Sequence, residues 1–308
     1  MTMNGSKMNG ILYVVATPIG NTEDMTGRAK RILSEVDIVA SEDTRVTQKL
    51  FNILGIHNKT VSNHKFNEKL KADSLILALT EGKNVAIVSD AGTPCISDPG
   101  GVIVKAAAAH GIKIESIPGA SSVITALSVC GMTFDSFAFS GFLPKEGKEI
   151  KKKIEAARKS GISVFVFFES PKRIKKTLTI LAAETPEAEL CLCNDLTKMF
   201  ERIYRGKPEE ILTELSVNPA AEKGEYTLIL EFGLNESQKM GLLTDSVSQS
   251  PESMLVDYII KNDSSLKEAV GALAKTHKGT ITKRDFYDAS LNLKALFGKG
   301  EDCGQGPQ

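Results

Sequence analysis

The sequence lacks long apolar runs and has no excess of charge of one sign. No apolar run approaches the roughly 20 residues that a membrane-spanning helix needs, so we expect no membrane span. The first ten residues, MTMNGSKMNG, have no apolar core, and we therefore expect no signal peptide. The 38 basic and 38 acidic side chains cancel. A nucleic-acid partner would therefore have to bind at a local basic patch.

Cysteine and histidine are also scarce. The five cysteines are scattered along the chain, at Cys95, Cys130, Cys191, Cys193 and Cys303. Cys191 and Cys193 would project from one face of a strand, too close together for an easy disulfide. Neither they nor the four histidines have the spacing of metal ligands. We therefore expect a reduced, cytoplasmic protein with no metal site.

Three common active-site motifs are missing. The turn after the first strand-like segment reads TPIGN at residues 17–21, where a Rossmann dinucleotide fold would carry G-x-G-x-x-G. The sequence contains no Walker A motif and no G-x-S-x-G nucleophile elbow. These absences weigh against a classical dinucleotide-binding fold, phosphoryl transfer from a nucleotide and an α/β-hydrolase.

The chain does contain a regular alternation of strand-like and helix-like segments. The predicted strands are Ile11–Ala16, Asp37–Ala40, Val85–Val88, Lys113–Ile117, Ala138–Ser140, Ser163–Phe168, Leu190–Cys193 and Tyr226–Glu231. Amphipathic or Ala-rich helical segments, such as Glu68–Thr80, lie between them. This order predicts an α/β fold with a mostly parallel sheet and helices on both faces.

The same pattern predicts the division of the chain. At 308 residues the chain exceeds one comfortable core. The alternation resumes after Pro118-Gly119, which predicts one α/β domain at 11–117 and a second at 118–234. A segment rich in Ser, Gln and Asn follows and has the composition of a linker. A small helical tail domain is predicted at 252–298.

The segment 85–101, VAIVSDAGTPCISDPGG, carries the strongest local signal. A buried strand ends at Ser89-Asp90 and is followed by a loop dense in Gly, Pro, Ser, Thr and Asp. Open α/β sheets place ligand sites at the carboxyl ends of their strands. Gly92 and Gly100 would let a ligand approach the backbone closely, while Pro94 and Pro99 would hold the loop in shape. A structural turn is the alternative interpretation.

Eight motifs in this order make the sequence resemble one known family. They are VATPIGNTED (15–24), ASEDTR (40–45), VSDAGTPCISDPG (88–100), IPGASSVITALSVCGM (117–132), FSGFLP (139–144), FFESPKR (167–173), NDLTK (194–198) and GEYTLILE (224–231). The chain resembles the ribosomal RNA small subunit methyltransferase I family of bacteria. Two substitutions depart from the family pattern, Asp195 where Glu is usual and Phe168 where Tyr is usual.

The resemblance implies a fold and an activity. Members of this family have the tetrapyrrole methylase fold, in which two α/β domains hold S-adenosylmethionine in the cleft between them. They methylate the ribose 2′-hydroxyl of a cytidine in the decoding region of 16S rRNA, and they are homodimers. The porphyrin-methylating relatives carry Gly-Asp-Pro where this chain has Gly92-Thr93-Pro94. The loss of that Asp favours the RNA branch.

The resemblance also implies which residues bind the methyl donor. They are Pro18, Asp90, Ala91, Gly92, Thr93, Pro94, Ile96, Ser121, Ser122 and Phe168. Small-residue loops suit this role because an adenosine with a zwitterionic tail needs backbone donors and acceptors at close range. Ser121 and Ser122 begin a predicted helix, where hydroxyls usually act as caps, and capping is compatible with ligand contact.

The acceptor hydroxyl is a poor nucleophile and needs a base or a polarising hydrogen bond. The candidate catalytic residues follow predicted strands and are Glu42, Asp43, Arg45, Glu169, Asp195 and Lys198. A lone carboxylate at such a position is often a helix cap or half of a salt bridge. Lys198 could act as a base only if burial lowered its pKa; otherwise it would hold phosphate.

Residues 145–176 contain eleven Lys or Arg and four Glu, a local excess of +7. In a chain without net charge this concentration predicts a phosphate-facing surface. A solvated helix face is the alternative.

Two other functions stay open at this point. The same fold could methylate a small tetrapyrrole, although the basic stretch and the missing Gly-Asp-Pro argue against that acceptor. The protein could also be a non-catalytic ribosome assembly factor that keeps the donor pocket only as structure.

Overall fold

The computed structural model describes residues 8–64, 68–233, 250–276 and 281–297. The chain divides into two compact units, residues 1–233 and residues 234–308. The strands are β1 Leu12–Val15, β2 Ile38–Ser41, β3 Thr60–Ser62, β4 Val85–Val88, β5 Ile114–Ile117, β6 Phe137–Phe142, β7 Val164–Glu169, β8 Glu189–Asn194, β9 Arg202–Gly206 and β10 Tyr226–Glu231. The α-helices are α1 Gly27–Glu35, α2 Thr44–Leu54, α3 Glu68–Thr80, α4 Gly101–Ala109, α5 Ser122–Val129, α6 Gly147–Lys159, α7 Ile174–Glu184, α8 Pro208–Ser216, α9 Pro251–Asn262, α10 Leu266–Thr276 and α11 Lys283–Phe297.

The first sheet is fully parallel, with strand order β3-β2-β4-β1-β5. Successive residues of central strand β4 pack into different cores: Val85 and Ile87 into one, Ala86 and Val88 into the other. All four are buried because helices cover both faces of the sheet. The carboxyl ends of β1, β2 and β4 therefore meet at one edge of the sheet.

The second sheet has the order β6-β7-β10-β8-β9, and only its β6–β7 pair is parallel. Strands β8 and β9 are antiparallel because residues 195–201 are too few for a crossover connection. The α/β fold class is confirmed, whereas a mostly parallel arrangement holds for the first sheet and not for the second. Strands β3 and β9 were not predicted because neither is a buried apolar run: their sequences are TVS and RIYRG. The predicted domain boundaries remain predictions.

Residues 250–276 and 281–297 form three helices with a core of their own, which includes the fully buried Leu255 and Phe286. Helix α9 begins at an N-cap, Ser250, whose hydroxyl accepts a hydrogen bond from the backbone N–H of Ser253. It ends at Asp263, a residue in the left-handed conformation. Within the described parts of the chain, no helix is long and apolar enough to cross a bilayer.

Candidate functional site

The loop after β4 is fastened to the loop after β1. The backbone N–H of Thr17 donates to the carbonyl of Gly92 at 2.9 Å, and the N–H of Gly92 donates to the carbonyl of Thr17 at 3.0 Å. The Ser89 hydroxyl donates to the same Gly92 carbonyl at 3.2 Å. Gly92 has a φ of +81°, a conformation in which L side chains are strained. This bridge holds the Gly/Pro loop over the carboxyl edge of the first sheet.

A cavity of about 410 Å³ opens beside this loop, a volume within the usual range for small-molecule sites. Its wall combines the β4 loop, the start of α5, the end of β7 and the start of β10. The lining residues are Ile19, Asp90, Ala91, Gly92, Thr93, Ile96, Ser97, Asp98, Ser121, Ser122, Val123, Phe142, Phe168, Glu169, Ser170, Pro171, Gly224, Glu225, Tyr226 and Thr227. Both sheets therefore contribute to one cleft.

The cavity brings together most of the residues that the sequence analysis assigned to the methyl donor. Eight of the ten line it: Asp90, Ala91, Gly92, Thr93, Ile96, Ser121, Ser122 and Phe168. Pro18 and Pro94 do not. Pro18 is buried one residue before Ile19, which does line the cavity. Pro94 likewise directly follows Thr93, which lines the cavity.

Helix α5 points its amino end at the cavity. Ser121 is the N-cap, yet its side chain makes no capping hydrogen bond. The first intrahelical bond at this end runs from the Thr125 N–H to the Ser121 carbonyl. Amides before that bond have no partner within the helix. Free N–H groups and two hydroxyls at a helix N-terminus favour a carboxylate or another anion.

Carboxylates of the loop after β4 form another part of the cavity wall. Asp90 and Asp98 line the cavity, and burial raises the pKa of each. Burial also raises the pKa of Glu42 at the end of β2, and the negative charges of Asp98 and Asp90 raise it further. The Asp90 carboxylate accepts a hydrogen bond from the Asp43 N–H at 3.0 Å. This wall of the site favours a cationic group.

Glu169 is fully engaged inside the protein. Its side chain is 0% exposed and lies 2.5 Å from the guanidinium of Arg173. It also accepts hydrogen bonds from the Thr177 hydroxyl and the Ser170 N–H, both at 2.6 Å. Arg173 in turn donates to the carbonyls of Leu143 and Pro144. This network ties the end of β7 to the segment after β6.

A family model described as tetrapyrrole (corrin/porphyrin) methylases matches residues 11–212. The chain is 40% identical over 279 residues to the ribosomal RNA small subunit methyltransferase I of Halalkalibacterium halodurans, covering 91% of this chain and 94% of that protein. It is 38% identical to the Bacillus subtilis protein of the same name, covering 94% and 97% of the two chains. The Vibrio cholerae protein is 39% identical, with coverage of 94% and 98%.

The chain belongs to the ribosomal RNA small subunit methyltransferase I family. It is therefore a methyltransferase with the tetrapyrrole methylase fold, and the resemblance predicted from the eight motifs is confirmed.

In this member of the family, two of the candidate catalytic residues form a network behind the cavity wall. The Lys198 ammonium donates to Asp195 and to Glu225, each at 3.0 Å. Burial alone would lower the pKa of Lys198, but these two hydrogen bonds outweigh burial and the pKa is raised. Lys198 is consequently a poor base. The Asn21 N–H donates to the hydroxyl of Thr197 in the same loop, which braces the residues beside Ile19.

Asp43 and Arg45 form an exposed pair with each other. The guanidinium lies 2.6 Å from the carboxylate, and its hydrogen bonds lower the pKa of Asp43 to about 2. A carboxylate with so low a pKa is a weak proton acceptor near neutral pH. Of the six candidates, Glu169 alone lines the cavity, while Glu42 lies beside Asp90 and Asp98.

Sequence reasoning missed several residues of the cavity wall. Asp98 stands in the DPG part of the loop motif, Phe142 in FSGFLP, and Gly224 to Thr227 in GEYT. The sequence analysis recognised each of these motifs, but it did not indicate that these particular residues would face the cavity. Glycine is required at position 224 because a Cβ there would overlap the Asp195 carboxylate.

Proposed function

We propose that this protein transfers a methyl group from S-adenosylmethionine to the ribose 2′-hydroxyl of a cytidine in the decoding region of 16S rRNA. The observation that carries the proposal is the cavity lined by eight predicted donor-binding residues in a chain of this family. The relatives are named for ribosomal RNA of the small subunit. We further propose a cytoplasmic homodimer that acts on the small ribosomal subunit.

The two electrostatically distinct walls of the cavity match the methyl donor. Its carboxylate suits the free amides of α5 and the hydroxyls of Ser121 and Ser122. Its cationic ammonium and sulfonium groups suit the wall that carries Asp90 and Asp98. The backbone of the loop around Gly92 leaves room for the adenosine to approach closely.

The chemistry requires alignment more than activation of the donor. The hydroxyl oxygen forms a new bond to the methyl carbon, the carbon–sulfur bond breaks, and its electron pair stays on sulfur as a neutral thioether. The hydroxyl proton passes to a base. We propose Asp98, which lines the cavity, or the neighbouring Glu42 for this step; burial raises the pKa of both, which makes each a better proton acceptor than an ordinary carboxylate. The proposed reaction uses no metal.

Part of the basic stretch supports an rRNA-binding surface. Apart from Lys153, five of the nine lysines in this stretch form no salt bridge within the described chain, and we call them the lysine cluster: Lys145, Lys148, Lys172, Lys175 and Lys176. The Lys176 ammonium donates to the Lys145 carbonyl, which joins the segments after β6 and β7. Lys172 directly follows the cavity residue Pro171. At Lys172 the cluster therefore adjoins the cleft.

The other basic residues have different roles. Lys151, Lys152 and Lys159 form salt bridges with glutamates on or near α6. Lys153 donates to the carbonyls of Ser140 and Phe142 and lies over the ring of Phe167. We therefore restrict the proposed phosphate contacts to the lysine cluster.

Reversing two charges of the lysine cluster, Lys145→Glu with Lys172→Glu, is expected to weaken rRNA binding and to flatten its salt dependence. For every phosphate that the protein no longer neutralises, the slope of log affinity against log salt falls by about 0.7–0.9. Donor affinity should stay unchanged. Filter binding across a salt series, with calorimetry for the donor, measures both quantities.

The matched control is Lys152→Glu with Lys159→Glu, which changes the net charge equally at ion-paired residues. It should leave the salt slope near the wild-type value. If both double variants lose the same affinity, the effect comes from net charge and the lysine cluster is not the rRNA footprint.

Mapping ribose methylation in 16S rRNA from cells with and without the gene tests the proposed function directly. One cytidine is expected to lose its 2′-O-methyl group in the deletion strain and to regain it when the gene is returned. Unchanged methylation in the deletion strain would contradict the proposed function. Methylation of a porphyrin precursor by the purified protein would show that the acceptor is a tetrapyrrole and not RNA. Absence of donor binding at millimolar concentration would favour the assembly-factor alternative.

A further inference from the structure

Phe142 is a large apolar side chain that stays exposed on the wall of the cavity. It is 56% exposed and lines the cleft, whereas Phe167 on the adjacent strand is fully buried. Its neighbour Phe168 meets it edge to face, with ring centroids 5.5 Å apart and an interplanar angle of 64°. Exposing an aromatic ring costs burial free energy, so this position calls for an explanation.

A β-bulge determines the direction in which Phe142 points. Strand β6 pairs Phe139 with Val166 on β7, but the next pair is Phe142 with Phe168. Three residues of β6 therefore advance against two residues of β7. The extra residue moves Phe142 onto the sheet face of Phe139, because side chains alternate along a strand. Without the bulge, Phe142 would lie on the opposite face, away from the cleft.

The bulge is held in place by a side chain from α6. The Lys153 ammonium donates to the Ser140 carbonyl at 2.5 Å and to the Phe142 carbonyl at 3.2 Å. Gly141 between them has a φ of +62°, which favours glycine. A clamped backbone presents the Phe142 ring in one direction rather than leaving it to move with a loose edge.

The surroundings of Phe142 combine an apolar mouth with nearby positive charge. Ile96, 58% exposed, lines the same cleft from the loop of the first sheet. The lysine cluster begins at Lys145, shortly after Phe142 in the chain. Exposed aromatic rings next to phosphate-binding lysines are the usual means by which proteins hold unpaired nucleotides.

We propose that Phe142 forms a stacking subsite for a nucleobase of the acceptor RNA at the mouth of the donor cleft. This inference rests on the proposed function and adds how the acceptor is held. The base lies against the Phe142 ring, the lysine cluster holds the flanking phosphates, and the ribose is brought to the donor. Recognition through a ring face needs a nucleotide that is unstacked from its own helix.

Replacing Phe142 tests the subsite. Phe142→Ala should raise the KM for small-subunit rRNA about 5- to 100-fold, the range that corresponds to loss of one stacked base. The donor Kd should change less than about twofold, well below that range. Phe142→Trp should restore the KM, and Phe142→Leu should not, because leucine is apolar but has no ring face.

Phe137→Ala is the matched control, since Phe137 lies at the other end of β6, is 39% exposed and is absent from the cavity wall. It should leave both constants near wild type. Rescue by leucine would overturn stacking in favour of a merely apolar wall. A donor Kd raised as much as the KM for RNA would make Phe142 part of the donor site and would also overturn the proposal.

A second measurement separates the subsite from the proposed function. The chain contains no tryptophan, so Phe142→Trp introduces a single tryptophan whose fluorescence can be excited selectively over that of the five tyrosines. A short RNA that spans the mapped nucleotide should quench this fluorescence, and the same RNA with an abasic residue at that nucleotide should bind with less quenching. Equal quenching by both RNAs, in a variant that still methylates rRNA, overturns the stacking subsite. If the wild-type enzyme does not methylate small-subunit rRNA at all, the proposed function is overturned instead.

Discussion

Gly92→Val is expected to abolish binding of the methyl donor while the protein remains folded. Gly92 has a φ of +81°, and a Cβ at this position would lie 3.2 Å from Cγ2 of Ile19, another residue of the cavity wall. A valine must either push into the cleft or pull the loop away from Thr17. The donor Kd should rise about 100-fold or more, equivalent to about 3 kcal/mol. Isothermal titration calorimetry measures this constant directly.

The matched control is Gly161→Val. Gly161 has nearly the same φ, +82°, but nothing lies within 4 Å of its Cβ position, and it precedes the amino end of β7. Backbone strain costs about 1–3 kcal/mol in either variant. Both variants should therefore have a Tm a few degrees below that of the wild type, and only Gly92→Val should fail to bind the donor. Normal donor binding by Gly92→Val would show that the donor lies elsewhere.

Glu169→Ala is expected to destabilise the protein by about 3–5 kcal/mol, the usual cost of leaving a buried charge without its partner. The Glu169 side chain is 0% exposed and Arg173 only 24% exposed, so solvent compensates poorly for the missing carboxylate. The Thr177 hydroxyl and the Ser170 N–H lose their acceptor as well. Urea unfolding measures the free-energy difference.

Glu155→Ala provides the comparison, because the Glu155–Lys159 salt bridge lies on the surface. Exposed pairs contribute about 0–1 kcal/mol, so this variant should unfold close to wild type. Glu169→Gln, which keeps an acceptor for Thr177, should retain measurable methyl transfer. A folded, donor-binding Glu169→Gln protein without any methyl transfer would assign Glu169 a direct role in the chemistry.

Much of the fold was predictable because its signals are local. The buried run Val85–Val88 has the composition of a central strand, and the structure places β4 at the same residues. Helix α3 also has the predicted bounds, Glu68–Thr80. The strands that were missed, β3 and β9, have a mostly half-buried or exposed pattern. They become strands because a neighbouring strand offers them hydrogen bonds, a condition that no local pattern contains.

The position of the cleft was predictable for a related reason. In a parallel sheet the carboxyl ends of the strands meet at one edge, so a Gly/Pro loop after a central strand marks the site. Which charged side chains are available near the cleft was not predictable, because the availability of a charged side chain depends on its partners. Lys198 donates a hydrogen bond to Glu225, which is 27 residues distant in sequence. Lys153 on α6 donates to a backbone carbonyl of β6, a partner that the sequence pattern does not indicate.

The sequence by itself determined the α/β class, the family and the loop that lines the cleft, because hydrophobic periodicity and ordered motifs are properties of short segments. Only the tertiary structure decided which charged groups are free for function. In the folded chain Glu169 forms a salt bridge with Arg173, and the lysine cluster forms no salt bridge within the described residues. It also turned Phe142 into the cleft through one extra residue in β6. Pairing, burial and strand register are relations between distant segments, and these emerge only when the chain has folded.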